Sequence, residues 1–166
     1  ILSGTGEVKL IDFGIAKEVD QLSEHTRTGV LKGKISFMSP EQALGQRVDR
    51  RADVWAAGVV LYQLLAGRLP FRGENQLETL HLISRKERAP EIQGLPKPLA
   101  KLLERVLEPE LDKRIASAAE LEVELERLIG LLGSVTTREV ASVVQQHLGR
   151  RIAARREVVD TALRAA

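Results

Sequence analysis

Residues 53–71 read DVWAAGVVLYQLLAGRLPF. Placed on a helix running over 51–66, Val54, Trp55, Val59, Val60, Leu61, Leu64 and Leu65 fall on nearly every side. That pattern belongs to a helix buried in the middle of a domain rather than laid on its surface. Gly67 is placed to stop it.

Working towards the C-terminus, Leu77, Leu80 and Ile83 predict a shorter amphipathic helix, and a linker from Pro90 to Pro98 cannot continue it. Leu99, Leu102, Leu103, Val106 and Leu107 then recur at i, i+3, i+4, i+7 and i+8, which predicts another amphipathic helix. Residues 109–114 are a charged connection. Ser117 and Glu120 form a capping box ahead of Leu121, Leu125, Leu128, Ile129 and Leu132. Gly130 and Gly133 are expected to mark the end of that helix. Thr136 with Glu139 can cap a further one bearing Val140, Val143, Val144 and Leu148, with Gly149 separating it from an Arg-rich stretch whose stripe is Ile152, Val159 and Leu163.

Towards the N-terminus, residues 18–33 are polar and aperiodic, the pattern of a long loop, and loops of that length in compact domains are usually functional. The first twelve residues suggest a β-hairpin: Ile1-Leu2, a turn over Ser3-Gly4-Thr5-Gly6, then Val8-Lys9-Leu10-Ile11. The expected fold class is mainly α, with a short β-hairpin at the N-terminus, a long loop and about five helices.

With 43% hydrophobic residues in 166, the chain can bury a core. The absence of cysteine excludes a disulfide framework and a thiolate zinc site, and three scattered histidines add no metal-ligand spacing. No apolar run is long enough for a membrane span. The chain therefore reads as soluble and cytoplasmic. Net charge is +2, but residues 138–166 hold six Arg against three acidic residues. This Arg-rich tail has no aromatic residue, so a solvated helix face is favoured over a nucleic-acid surface.

Several short motifs occur in order. Asp12-Phe13-Gly14 follows a strand-like stretch; the polar loop ends at Ser39-Pro40-Glu41; Asp53 opens the buried helix; Gly67-Arg68-Leu69-Pro70-Phe71 closes it; Arg114 precedes the capped helix. A lone Asp-Phe-Gly is weak evidence, because any tight turn can use it. In this order and spacing, VKLIDFGIAK, FMSPEQ and DVWAAGVVLYQLLAGRLPF resemble the eukaryotic-type Ser/Thr protein kinase family in its bacterial form, over roughly residues 1–130.

The resemblance implies the C-terminal lobe of a protein kinase. Residues 1–132 would be a partial catalytic domain, with an activation segment at 12–41 and a helical subdomain at 42–132; residues 133–166 would be a C-terminal helical extension. Asp12 matches the magnesium ligand that serves the ATP phosphates, and Phe13 and Gly14 the packing residue and hinge beside it. Glu41 matches an acidic residue that pairs with Arg114 in a structural role. Asp53 matches the residue whose carboxylate anchors the catalytic-loop backbone. Thr26 and Thr28 lie where such kinases are phosphorylated, although position alone leaves them equally readable as ordinary loop threonines. Lys34 stands where many relatives have threonine, which puts substrate positioning in question.

The family's Gly-rich loop, strand lysine, helix glutamate and catalytic-loop Asp and Asn have no counterpart in these residues and are expected upstream of Ile1, so the N-lobe and catalytic loop are expected to be absent. The Ser3–Gly6 turn has no following helix and is not an ATP loop. ATP and Mg2+ are therefore cofactors of the intact kinase, and the chain alone is expected to lack activity. Expected partners are a protein substrate and a partner kinase or the missing N-lobe, with no nucleic acid. The alternative is a non-catalytic kinase-lobe remnant that binds proteins.

Overall fold

Helices make up most of the structure, a computed structural model that describes residues 2–9 and 35–164. After a 3-10 turn at Ile35–Phe37 come α1 (Pro40–Ala43), α2 (Arg51–Ala66), α3 (Gln76–Ser84), α4 (Lys97–Val106), a 3-10 turn at Leu111–Lys113, α5 (Ala118–Leu132) and α6 (Thr137–Arg164). The described residues fall into two units, one of 35–132 and one of 2–9 with 133–164.

In the larger unit α2 is the central element. Its residues Trp55, Val59 and Tyr62 join Phe71, Ile83, Leu103 and Leu107 in one apolar cluster, while Val54 joins Leu102, Val106, Ile115, Leu121 and Leu128 in another. Helices α3, α4 and α5 are thus each attached to the core through α2 or its neighbours. Gly58 lets α2 and the end of α4 come close: a Cβ there would lie 2.4 Å from Val106 Cγ1. The helix stops where Gly67 turns left-handed at φ 67°, a conformation that costs a residue without Cβ little.

The sequence pattern implies that α2 is enclosed on all sides, and here the structure differs. Val54, Trp55, Gly58, Val59 and Tyr62 are buried, whereas Asp53, Ala57, Val60 and Leu64 are exposed, the last at 78%. Those four positions are spaced i, i+4, i+7, i+11, which at 3.6 residues per turn is a single stripe opposite the buried face. α2 therefore has one sealed apolar face and one open one.

The other helix ends follow local chemistry. Asn75 Oδ1 accepts from the Glu78 N–H at 2.9 Å at the start of α3. Ser117 Oγ accepts from the Glu120 N–H at 3.2 Å ahead of α5, with the return bond made by the Ala116 N–H to Glu120 Oε2 at 3.1 Å. Thr136 and Glu139 form the reciprocal pair ahead of α6, at 2.7 and 3.3 Å.

Two glycine expectations need correcting. Gly130 does not end α5, which runs on to Leu132 and stops before Gly133 at φ 98°. Gly149 does not divide α6, which is continuous over 28 residues. A lone glycine costs a helix only about 1 kcal/mol relative to alanine, too little to break one flanked by good helix formers. Of these three glycines, Gly133, with its positive φ, is the one with the backbone of a terminator.

The N-terminal hairpin is minimal. Leu2 and Val8 form one antiparallel bridge, and the Ser3 N–H donates to the Glu7 carbonyl at 2.8 Å across the turn. In that unit Gln145 Nε2 donates to the Gly4 carbonyl at 3.1 Å. A Cβ on Gly6 would sit 2.1 Å from the Thr137 carbonyl, so the turn and the start of α6 are in close backbone contact.

Candidate functional site: a buried carboxylate clamp

Glu41 sits in α1, where Pro40 at the first helical position and the Ser39 N–H bonded to Gln42 Oε1 at 2.9 Å fix the local turn. Arg114 lies 73 residues away, immediately after the Leu111–Lys113 turn. The two meet side by side: Arg114 Nη1 donates to Glu41 Oε1 at 2.8 Å and Nη2 to Oε2 at 2.9 Å. Both side chains are almost wholly buried, Arg114 completely.

Burying two charges is costly unless their remaining hydrogen-bonding capacity is met. Here much of it is. Arg114 Nε donates to the Glu108 carbonyl at 2.9 Å and Nη1 also to the Arg51 carbonyl at 3.1 Å, while the guanidinium lies 4.9 Å from the centre of the Trp55 ring. Phe71 stacks on the same indole at 5.9 Å and 11°. Burial pushes the Glu41 carboxyl up, but the bonds from Arg114, its own backbone and Ser39 outweigh it and hold the carboxyl below its usual value. The clamp is built for charge at both ends, and it joins α1, the start of α2 and the loop before α5.

Around it is a second layer of arginines that the sequence reading did not single out. Arg51 Nη1 donates to the Leu111 carbonyl at 2.9 Å and its Nη2 pairs with Asp49 at 2.7 Å. Arg50 Nε donates to the Ala116 carbonyl at 2.9 Å. Both latch the loop containing Arg114 to the start of α2.

Asp53 is exposed at the head of the open stripe on α2, and its side chain makes no hydrogen bond among the described residues. Asp12, Phe13, Gly14, Thr26, Thr28 and Lys34 lie outside the described residues. Of the residues singled out by sequence, the structure thus brings Glu41 and Arg114 together and leaves Asp53 on its own. No cluster of three or more metal-ligating side chains occurs among the described residues.

A central helix with one sealed face, a buried Glu–Arg clamp joining a Ser-Pro-Glu turn to the loop before the last core helix, and a Leu-Pro-Phe corner that follows the helix-ending Gly67 define the helical lobe of a protein kinase. The match to known families agrees: residues 1–124 match the protein kinase domain, and the chain belongs to that family. It is 34% identical over 131 residues to the serine/threonine-protein kinase PknB of Mycobacterium leprae, covering 77% of this chain and 21% of that protein. It is 38% identical over 136 residues to a probable serine/threonine-protein kinase of Corynebacterium efficiens, covering 77% and 21%. Over 89 residues it is 51% identical to the tyrosine-protein kinase MasK of Myxococcus xanthus, covering 54% and 14%. The chain spans about a fifth or less of these relatives' length. No helix among the described residues is long and apolar enough to cross a membrane.

Proposed function

We propose that residues 1–132 are the substrate-side, helical part of a cytoplasmic kinase that transfers the γ-phosphoryl group of ATP to serine or threonine in a protein, and that 133–166 is an extension of it. The observation that carries this reading is the two-faced α2: one face seals the core beside the Glu41–Arg114 clamp, and the other offers Asp53 and an apolar stripe through Leu64 to further structure. In this reading the catalytic loop and ATP-binding lobe cover that stripe, Asp53 accepting hydrogen bonds from the loop's backbone.

Phosphoryl transfer rests on positioning and charge neutralisation. Asp12, in the Asp-Phe-Gly sequence, would hold Mg2+, since a carboxylate suits a hard cation. Bound Mg2+ and ATP supply the electrophilic phosphorus and neutralise its oxygens. Phosphate on Thr26 or Thr28 would order the activation segment through nearby arginines. With only one metal ligand and no base or Gly-rich loop in these residues, the chain acts only together with those parts.

The test compares the 166-residue chain with the full-length gene product in a radiolabelled ATP assay followed by phosphoamino-acid analysis. Mg2+-dependent phosphoserine or phosphothreonine from the full product, absent from the chain alone, is expected. Transfer by the chain alone, abolished by Asp12→Ala, overturns the requirement for the other parts. Phosphotyrosine as the sole product overturns the acceptor class, and the name of the Myxococcus relative makes that outcome worth measuring.

A further inference from the structure

Away from the clamp, α4 and α5 enclose a groove of about 430 Å³. Its floor is apolar, made by Leu102 and Leu128, both buried, with Leu131 at one end. Its rim is cationic: Lys97, Lys101 and Arg105 follow one another at four-residue spacing on α4, and Arg127 faces them from α5.

These cations differ in how far they are satisfied. Arg105 is fully engaged, with Nη1 on Glu124 at 2.7 Å and Nη2 on Glu120 at 3.0 Å. Lys97, Lys101 and Arg127 are exposed and make no ion pair or side-chain hydrogen bond among the described residues. The Glu124 carboxyl is held below its usual value first by the Arg105 bonds and then by attraction to Arg127 and Lys101. One carboxylate thus lies within the field of three cations, two of which have no other partner. The local balance is an excess of positive charge over an apolar floor.

From Lys97 to Arg105 the row is about 12 Å long at 1.5 Å per helical residue. An extended peptide covers that length in about four residues. The surface is concave, short and apolar at its base, which suits one segment of chain better than a flat bilayer. It has no aromatic platform for a nucleobase.

We propose that the α4–α5 groove docks an acidic peptide segment carrying one or two apolar side chains, whose carboxylates pair with Lys97, Lys101 and Arg127 while an apolar side chain lies over Leu102, Leu128 and Leu131. The site is independent of the phosphoryl-transfer reading, because none of its residues belongs to the clamp or to the Asp-Phe-Gly segment. Complementary charge sets encounter rate and register, and the apolar floor supplies the attraction that salt does not screen.

The probe is a fluorescein-labelled, N-acetylated octapeptide of six glutamates and two leucines, titrated with the 166-residue chain and followed by anisotropy. Saturable binding is expected, weakening as salt rises, about tenfold weaker for Lys97→Glu/Lys101→Glu/Arg127→Glu, and several-fold weaker when serines replace the peptide's leucines. Thermal melting checks the fold of the variant, and Lys97→Gln/Lys101→Gln/Arg127→Gln replaces it if charge reversal prevents folding. Undiminished binding to the folded variant overturns the site. Equal binding of the serine peptide overturns the role of the floor. Binding of phosphatidylserine vesicles with no binding of the peptide overturns the peptide assignment.

Discussion

Arg114 and Glu41 are joined by two parallel hydrogen bonds of 2.8 and 2.9 Å although 73 residues separate them. Breaking such a pair from one side leaves the other charge buried without its counterion. Arg114→Ala or Glu41→Ala should therefore cost about 3–5 kcal/mol. Replacing both by apolar residues of similar volume should recover much of that loss. Urea unfolding of the four chains of a double-mutant cycle measures it, and additive losses would contradict a coupled pair.

The same pair sets an acid limit. Glu41 is held below its usual value of 4.5 in the folded chain, so it contributes stability that is fully present above that value and is lost as pH falls through the lower, folded value. Asp49, held down to about 2 by its bonds to Arg51, acts in the same direction between 3.8 and about 2, but is exposed and so counts for less. The melting temperature should fall with pH below about 4.5, and Glu41→Gln should flatten the dependence. A variant with an unchanged slope would remove Glu41 from the explanation.

Gly58 marks a close approach of α2 to the end of α4. Gly58→Val should overpack this contact and cost about 1–3 kcal/mol, because the buried side chains of Val106 and Leu107 already lie within 3.0 Å of where a Cβ would stand. Differential scanning calorimetry would show it. A stability equal to the parent's would mean that α4 shifts outward at no cost.

Gly149 offers the opposite experiment. It lies inside α6, and an added Cβ would meet only the end of the flexible Gln145 side chain, at 3.1 Å. Gly149→Ala should therefore stabilise α6 by up to about 1 kcal/mol and raise helical circular dichroism. Loss of helicity would show that the helix does need a break there.

The helical pattern of this fold was legible because periodicity and capping act locally: Ser117, Glu120, Thr136 and Glu139 bond within one turn. The two misjudged glycines show the limit of that reading. Composition cannot distinguish a glycine with negative φ inside a helix from one with positive φ beyond its end; backbone geometry decides, as at Gly149 and Gly133. The Glu41–Arg114 pair was suggested by resemblance alone, since no local pattern links residues 73 positions apart. The supporting role of Arg50 and Arg51 was missed for a different reason. Their acceptors are main-chain carbonyls of a distant loop, and every residue has one. The two-faced character of α2 was hidden because both faces are apolar, so the sequence carries no amphipathic contrast to reveal which face is open.

That open face has a consequence for how long the chain persists. Val60 and Leu64 present to water the kind of surface that chaperones and proteases read as unfinished folding. The clamp beneath α2 governs how firmly the lobe holds itself together. If further structure covers the stripe, as the proposed function has it, cellular abundance should respond to that coverage more than to the lobe's own unfolding free energy.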